Sequence, residues 1–153
     1  MDFTETVIQM IPDPRDNTID WEAIADLFVP AGFRELKNTP QNPRYHGEGD
    51  VFAHTRMVCE KLIGMDAFHA LDRVPKAELF LSAVLHDIGK VRTTRLENGE
   101  WTSPNHASSG SRTVREFLWK DLGLCGTKEK ICFRETVCAL IAGHMQPVYL
   151  LSK

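Results

Sequence analysis

The stretch Leu79-Phe80-Leu81-Ser82-Ala83-Val84-Leu85-His86-Asp87-Ile88-Gly89-Lys90 decides how this chain is read. From Leu79 to Leu85 it is apolar nearly all round, so a helix here has no face for water and must be central. Pro75 suits a first turn, where its missing N–H is not needed. The pattern therefore predicts a helix over Pro75–Asp87, with Gly89 able to terminate it. Asp87 then lies at the end of a buried helix, and a buried carboxylate is costly unless it is paired or bound to a metal. No basic residue precedes it in that helix until Lys76, eleven positions back. Lys90 follows by three, so an ion pair is one explanation. A metal explains more at once: the carboxylate, the adjacent His86, and a histidine on the apolar face of a different helix.

That other histidine is His54. Asp50 has the form of an N-cap for a helix over Val51–Met65, in which Val51, His54, Thr55, Val58 and Leu62 share one inward face by 3-and-4 spacing. Before it, Asn38–Asp50 contains Pro40, Pro43, Gly47 and Gly49 and reads as irregular loop. Further upstream, Asp20 can cap a helix through Trp21, Ile24, Leu27 and Phe28, ended by Pro30 and Gly32. Downstream, Arg92–Thr102 is the one strand candidate. Its Asn98-Gly99 pair favours a type I′ turn, in which both central residues take positive φ, and so predicts a small surface hairpin. Ser103 or Asn105 can cap a helix over His106–Leu122, with Val114, Phe117 and Leu118 inward. Thr127 can cap a last helix over Thr127–Gly143, with Ile131, Val137, Leu140 and Ile141 apolar. The expected fold class is all-α: a bundle of about six helices with one hairpin, its metal cleft where the helices bearing His54, His86, His106 and His144 converge.

The 153 residues fit a single domain able to bury a core. A net charge of −3 brings no basic surplus of the kind that marks nucleic-acid binders. With Asp2 and Glu5 and no basic start, the first ten residues do not resemble a signal peptide, and no apolar run is long enough to span a bilayer. Cys59, Cys125, Cys132 and Cys138 form no Cys-x-x-Cys pair, so a zinc ribbon or redox motif is unsupported. Cys59 and Cys138 read as reduced core residues, and the expected compartment is the cytoplasm.

Leu85-His86-Asp87-Ile88-Gly89-Lys90 resembles the central motif of the HD superfamily of metal-dependent phosphohydrolases. His54, in Asp50-Val51-Phe52-Ala53-His54-Thr55, is similar to that family's first histidine. His106, in Ser103-Pro104-Asn105-His106-Ala107, and His144, in Ala142-Gly143-His144, resemble the further histidines of two-metal members. The likeness runs from about Pro40 to Pro147. A narrower one also shows: His46-Gly47-Glu48-Gly49-Asp50-Val51 followed by His54-Thr55-Arg56-Met57-Val58 resembles the HD domains of tRNA nucleotidyltransferases. It is still more like HD domains fused to a P-loop kinase in bacterial polynucleotide end-healing proteins. The resemblance implies a substrate that is a phosphorylated nucleotide or an RNA or DNA end.

The family pattern closes with a second aspartate on a later helix, and this chain has no Asp after His144. Its apolar run Val148-Tyr149-Leu150-Leu151 stops two residues before the last residue. The expectation is therefore an N-terminal fragment of a longer protein: one HD domain over 1–153, with 1–40 as a helical extension. The missing part would supply the aspartate and any kinase domain. Otherwise the site is degenerate, or another residue or water takes the ligand's place.

Imidazole and carboxylate donors suit Mn, Fe, Co, Ni or Zn better than Mg. His54, His86 and Asp87 are assigned to a first ion and Asp87, His106 and His144 to a second, with Asp87 bridging. Two ions about 3.5–4 Å apart can clamp a phosphate and supply a hydroxide. Lys90 is the candidate to offset phosphoryl charge as a catalytic and substrate-binding group. Arg112, six residues into the His106 helix, is a candidate to reach the same cleft. His46 is a candidate to touch substrate or protonate a leaving oxygen. Glu48 and Asp50 are read as turn and cap residues, and His69 fits no motif. The expected function is phosphoester hydrolysis; its rival is a nucleotide- or RNA-binding module that hydrolyses nothing. A purely structural metal site is weaker, because such sites are closed by four ligands that are typically cysteine-rich.

Overall fold

A computed structural model describes residues 2–13, 16 and 18–146. Among them the chain forms helices α1 (Phe3–Met10), α2 (Trp21–Leu27), α3 (Val51–Ile63), α4 (Asp66–His69), α5 (Arg73–Leu85), α6 (Lys90–Thr93), α7 (His106–Lys120) and α8 (Lys128–Gly143). Strands β1 (Arg95–Glu97) and β2 (Glu100–Thr102) make an antiparallel hairpin between α6 and α7. Two 3-10 segments, Val29–Ala31 and Phe33–Asn38, lead from α2 into the loop before α3. The architecture is the expected all-α one with a single hairpin, with short α1, α4 and α6 beyond the helices that periodicity alone outlines.

α5 is central: it packs against α8, α3 and α1, while α7 packs along α8. Phe80, Leu81, Val84 and Leu85 of α5 are almost fully buried. The segment before residue 40 belongs to the same core, since Val7, Ile24, Phe28, Phe33 and Leu36 cluster with α5. Phe28 meets Phe117 of α7 edge-on at 5.6 Å, and Phe3 meets Phe133 of α8 at 5.8 Å. Among the described residues no helix is long and apolar enough to cross a membrane.

Capping side chains set three of the helix starts where the sequence places them. Asp20 accepts from the Ala23 amide, Asp50 from Ala53 at 2.8 Å, and Thr127 from Lys130. The hairpin turns on Asn98 (φ 51°) and Gly99 (φ 83°), the two positive φ values of the type I′ turn, with Leu96 opposite Trp101.

Other details correct the sequence reading. α5 begins at Arg73 and ends at Leu85, so His86 and Asp87 leave the helix for a tight turn held by Ile88 N–H to Leu85 O and Lys90 N–H to Asp87 O. Gly89 sits in ordinary helical conformation (φ −66°) and stops nothing, for the chain runs on into α6. Arg92 and Thr93 belong to that helix, which shortens the hairpin. α3 ends at Ile63, and its buried stripe is Val51, Thr55, Cys59 and Ile63, rotated from the expected face so that Val58 and Leu62 are only half-buried. Neither Ser103 nor Asn105 caps α7 by side chain; Asn105 instead takes a left-handed conformation. Ile131 and Leu140 lie on the exposed side of α8. The apolar run Val148–Leu151 lies outside the described residues.

Candidate metal centre

Four histidines surround Asp87 in one repeated geometry. His86 Nδ1 donates to Ala83 O at 2.8 Å, His106 Nδ1 to Ser103 O at 2.9 Å, and His144 Nδ1 to Ile141 O at 2.7 Å. Ala83 O stands at the end of α5, and Ile141 O, at the end of α8, also takes the His144 amide at 3.5 Å. A carbonyl can only accept, so each Nδ1 carries a proton, and Nε2 is the atom left to ligate whenever the ring is neutral. His54 follows the same rule with a carboxylate, its Nδ1 lying 2.6 Å from Glu48 Oε1.

The four Nε2 atoms converge on the buried Asp87 carboxylate, which is 2% exposed. On one side, His86 Nε2 is 3.3 Å and His54 Nε2 3.9 Å from Oδ2. On the other, His106 Nε2 is 3.3 Å and His144 Nε2 3.6 Å from Oδ1. The chain thus brings together the two triads outlined in the sequence, each with ligand atoms within 4.8 Å of one another. Burial would raise the Asp87 pKa, but hydrogen bonding and charge from His86, with Lys90 beside it, outweigh burial and hold it far below the ordinary carboxylate range. Burial depresses His54, His106 and His144, which favours their neutral, ligating form. His86 goes the other way: burial lowers it, but the Asp87 carboxylate more than compensates. Three imidazoles biased to the neutral form, with His86 beside them and each Nδ1 tied, around an ionised carboxylate make a donor set that fits a divalent transition ion at Asp87.

The backbone holds the two halves at this spacing through two glycines. A Cβ on Gly89 would lie 2.0 Å from His106 O and 2.5 Å from the Gly110 amide. Only glycine permits the His86–Gly89 turn to touch the first turns of α7, and this contact sets His106 against Asp87.

Lys90 is buried, with Nζ 2.8 Å from both Asp87 Oδ2 and Gln41 Oε1. The ion pair and the histidine cluster therefore coexist, as a carboxylate with about four lone-pair positions allows. His46 also reaches the site: its Nδ1 is 3.0 Å from Glu48 Oε1 and its ring stands 4.8 Å from that of His54. Glu48 thus orients two histidines and is more than the turn residue it was read as. Its position in a glycine-rich loop gives no periodic signal of this. Asp50 is the cap it resembles.

His46, Lys90, Asp87 and the four histidines around it line an open cavity of about 630 Å³, together with Asn42, Tyr45, Glu100 and Trp101. Arg112 is not part of it. Six residues from His106 at 100° each leave Arg112 about 120° off the His106 face. It lines a separate pocket of about 320 Å³ with Arg92 and Arg95.

No curated protein and no solved structure matches this chain. The family model described as HD domain matches residues 51–149, a span that takes in His54, His86, Asp87, Lys90, His106 and His144. The chain belongs to the HD domain family, which is in general one of metal-dependent hydrolases acting on phosphorylated substrates.

Proposed function

We propose that this chain hydrolyses a phosphoric ester at the end of a nucleotide or nucleic acid. One observation carries the reading: the Nε2 atoms of four histidines, each ring oriented through its Nδ1, converge on the two oxygens of one buried carboxylate. His54, His86 and Asp87 would hold one divalent ion and Asp87, His106 and His144 a second, drawn from Mn, Fe, Co, Ni or Zn. Such ions acidify water and draw charge from a phosphoryl group.

The chain's own residues supply the rest. The Nδ1 bonds keep all four imidazoles aimed at Asp87. Lys90 adds a buried positive charge beside the place where phosphate charge gathers. His46, held by Glu48 on the cavity wall, is placed to give a proton to a departing oxygen. Arg112, outside this cavity, would serve only a substrate long enough to reach the neighbouring pocket. The resemblance to end-healing proteins would add a P-loop kinase as the covalent partner in a longer chain, working in the cytoplasm.

The rival reading is a nucleotide- or RNA-binding module without turnover. Assay of a generic phosphomonoester and phosphodiester with added Mn²⁺ or Co²⁺ separates the two. Turnover that His86→Ala and Asp87→Ala abolish supports hydrolysis. Turnover equal in wild type and both variants refutes the metal assignment, and tight nucleotide binding with no turnover supports the module.

A further inference from the structure

The cavity lining is of two kinds. One is the histidine–carboxylate centre with Lys90. The other comes from the loop before α3 and from β2, where Tyr45 and Trp101 stand 71% and 37% exposed. Among the described residues neither ring meets another aromatic ring, and Arg44 lies over one face of Tyr45 at 5.7 Å, which leaves the other face and both faces of Trp101. Trp101 lies on β2, directly across from Leu96 of β1.

A polar pair in the same lining joins the loop before α3 to β2. Asn42 Nδ2 donates to Glu100 Oε2 at 3.3 Å, although the residues are 58 positions apart. Asn42 is itself fixed, its Oδ1 accepting the Arg44 amide at 3.0 Å. Glu100 is therefore held in the lining with Oε1 left to accept.

A carboxylate there repels phosphate and attracts N–H donors. The histidine–lysine lining does the reverse. A molecule filling the cavity must accordingly present phosphate to one and, to the other, a flat ring with N–H groups on its edge. We infer that Tyr45, Trp101 and Glu100 form a nucleobase subsite, the rings stacking on the base and the carboxylate accepting from its edge. This rests on the phosphoester reading for the phosphate end only. The cavity volume suits an organic ligand of that size, since such pockets run to about 300–1,000 Å³. Stacking of a base on an aromatic side chain tolerates any base, so the subsite selects for the presence of a base more than for its identity.

The test is calorimetric titration of the metal-free full chain, in which no turnover intrudes, with adenosine 5′-monophosphate and with ribose 5-phosphate. The nucleotide is expected to bind at least about tenfold tighter, the size of one stacked base. Trp101→Ala and Tyr45→Ala should each shrink that ratio severalfold, Trp101→Phe should largely restore it, and Trp119→Ala, at an exposed tryptophan outside the cavity, should leave it intact. Equal affinities for the two ligands in the wild type, or a ratio untouched by both alanine variants, would overturn the subsite. A chain that shows the ratio yet hydrolyses neither compound once Mn²⁺ is added supports the base subsite and counts against the hydrolase reading.

Discussion

Gly89→Ala is the substitution whose outcome separates packing from backbone preference most sharply. Gly89 has φ −66° and ψ −20°, a conformation alanine adopts freely. Judged from its backbone alone, the change should stabilise the chain by about 0.4–1 kcal/mol, because alanine narrows the unfolded ensemble. The surroundings argue the opposite. The added Cβ would stand 2.0 Å from His106 O, about 1.4 Å inside the 3.4 Å at which ordinary contact begins, and 2.5 Å from the Gly110 amide. Both opposing groups are backbone, so no side chain can rotate away, and the start of α7 must move. Overpacking against such a wall costs about 1–3 kcal/mol and sometimes more. The upper end applies here, so a net loss near 3 kcal/mol is expected. For a chain of this size that lowers Tm by about 6–12 °C, at 2–4 °C per kcal/mol. Thermal melts followed by circular dichroism, with urea denaturation beside them, would read it. The same displacement carries His106 away from Asp87, so affinity for the ion on the His106–His144 side should fall with it. A Gly89→Ala chain as stable as wild type, or more so, would refute the close approach and its role in spacing the two halves of the site.

Three further outcomes follow from the site. In Glu48→Gln the partner of His54 Nδ1 loses its charge, and metal affinity measured by titration should fall about 10–100-fold, the usual effect of an outer partner of a ligating histidine; an unchanged affinity would remove Glu48 from the site. Lys90→Met strips a buried partner from Asp87 and should destabilise the metal-free chain by about 3–5 kcal/mol, with added Mn²⁺ restoring part of that loss because the ion supplies the missing positive charge. The metal-free chain should also lose stability as pH falls below 6.5, the ordinary histidine value. His54, His106 and His144 have depressed pKa values, so between their folded and unfolded values the unfolded state binds more protons and acid favours it. His86, raised by Asp87, acts in the opposite sense, stabilising at low pH and losing that contribution as pH rises through its folded value, but it is one group against three. A urea midpoint that climbs between pH 7.5 and 5.5 would contradict this balance.

What could be read from residues alone was whatever depends on local chemistry. Asp20, Asp50 and Thr127 announce helix starts because their side chains bond amides two or three positions on, and Asn98-Gly99 announces the hairpin because few other pairs tolerate its φ values. The apolar run of α5 could lie nowhere but the centre, and that placed His86-Asp87 in the interior. His54, His106 and His144 were legible as partners because each stands at a helix end or at the edge of an apolar face. The remainder is tertiary. That Glu48 reaches back to His54 depends on the path of a glycine-rich loop, which has no period to read. That Gly89 is a contact and not a stop depends on where α7 passes. Arg112 was expected in the cleft from its distance along α7, but the helical rotation turns it toward Arg92 and Arg95. The short α1 does carry an apolar stripe, Phe3, Val7, Met10 and Ile11, which the sequence reading did not take up; Val7 packs into the core, and Glu5 pairs with Arg73 at the start of α5.

The central claim is that Asp87 serves two ions at once, one through each oxygen. Titration with Mn²⁺ followed by electron paramagnetic resonance tests it directly, comparing the wild type with His54→Ala, His106→Ala and Asp87→Ala. The account predicts two magnetically coupled ions in the wild type, a single uncoupled ion in each histidine variant, and neither ion bound with wild-type affinity in Asp87→Ala. An Asp87→Ala chain that binds Mn²⁺ as the wild type does would contradict it.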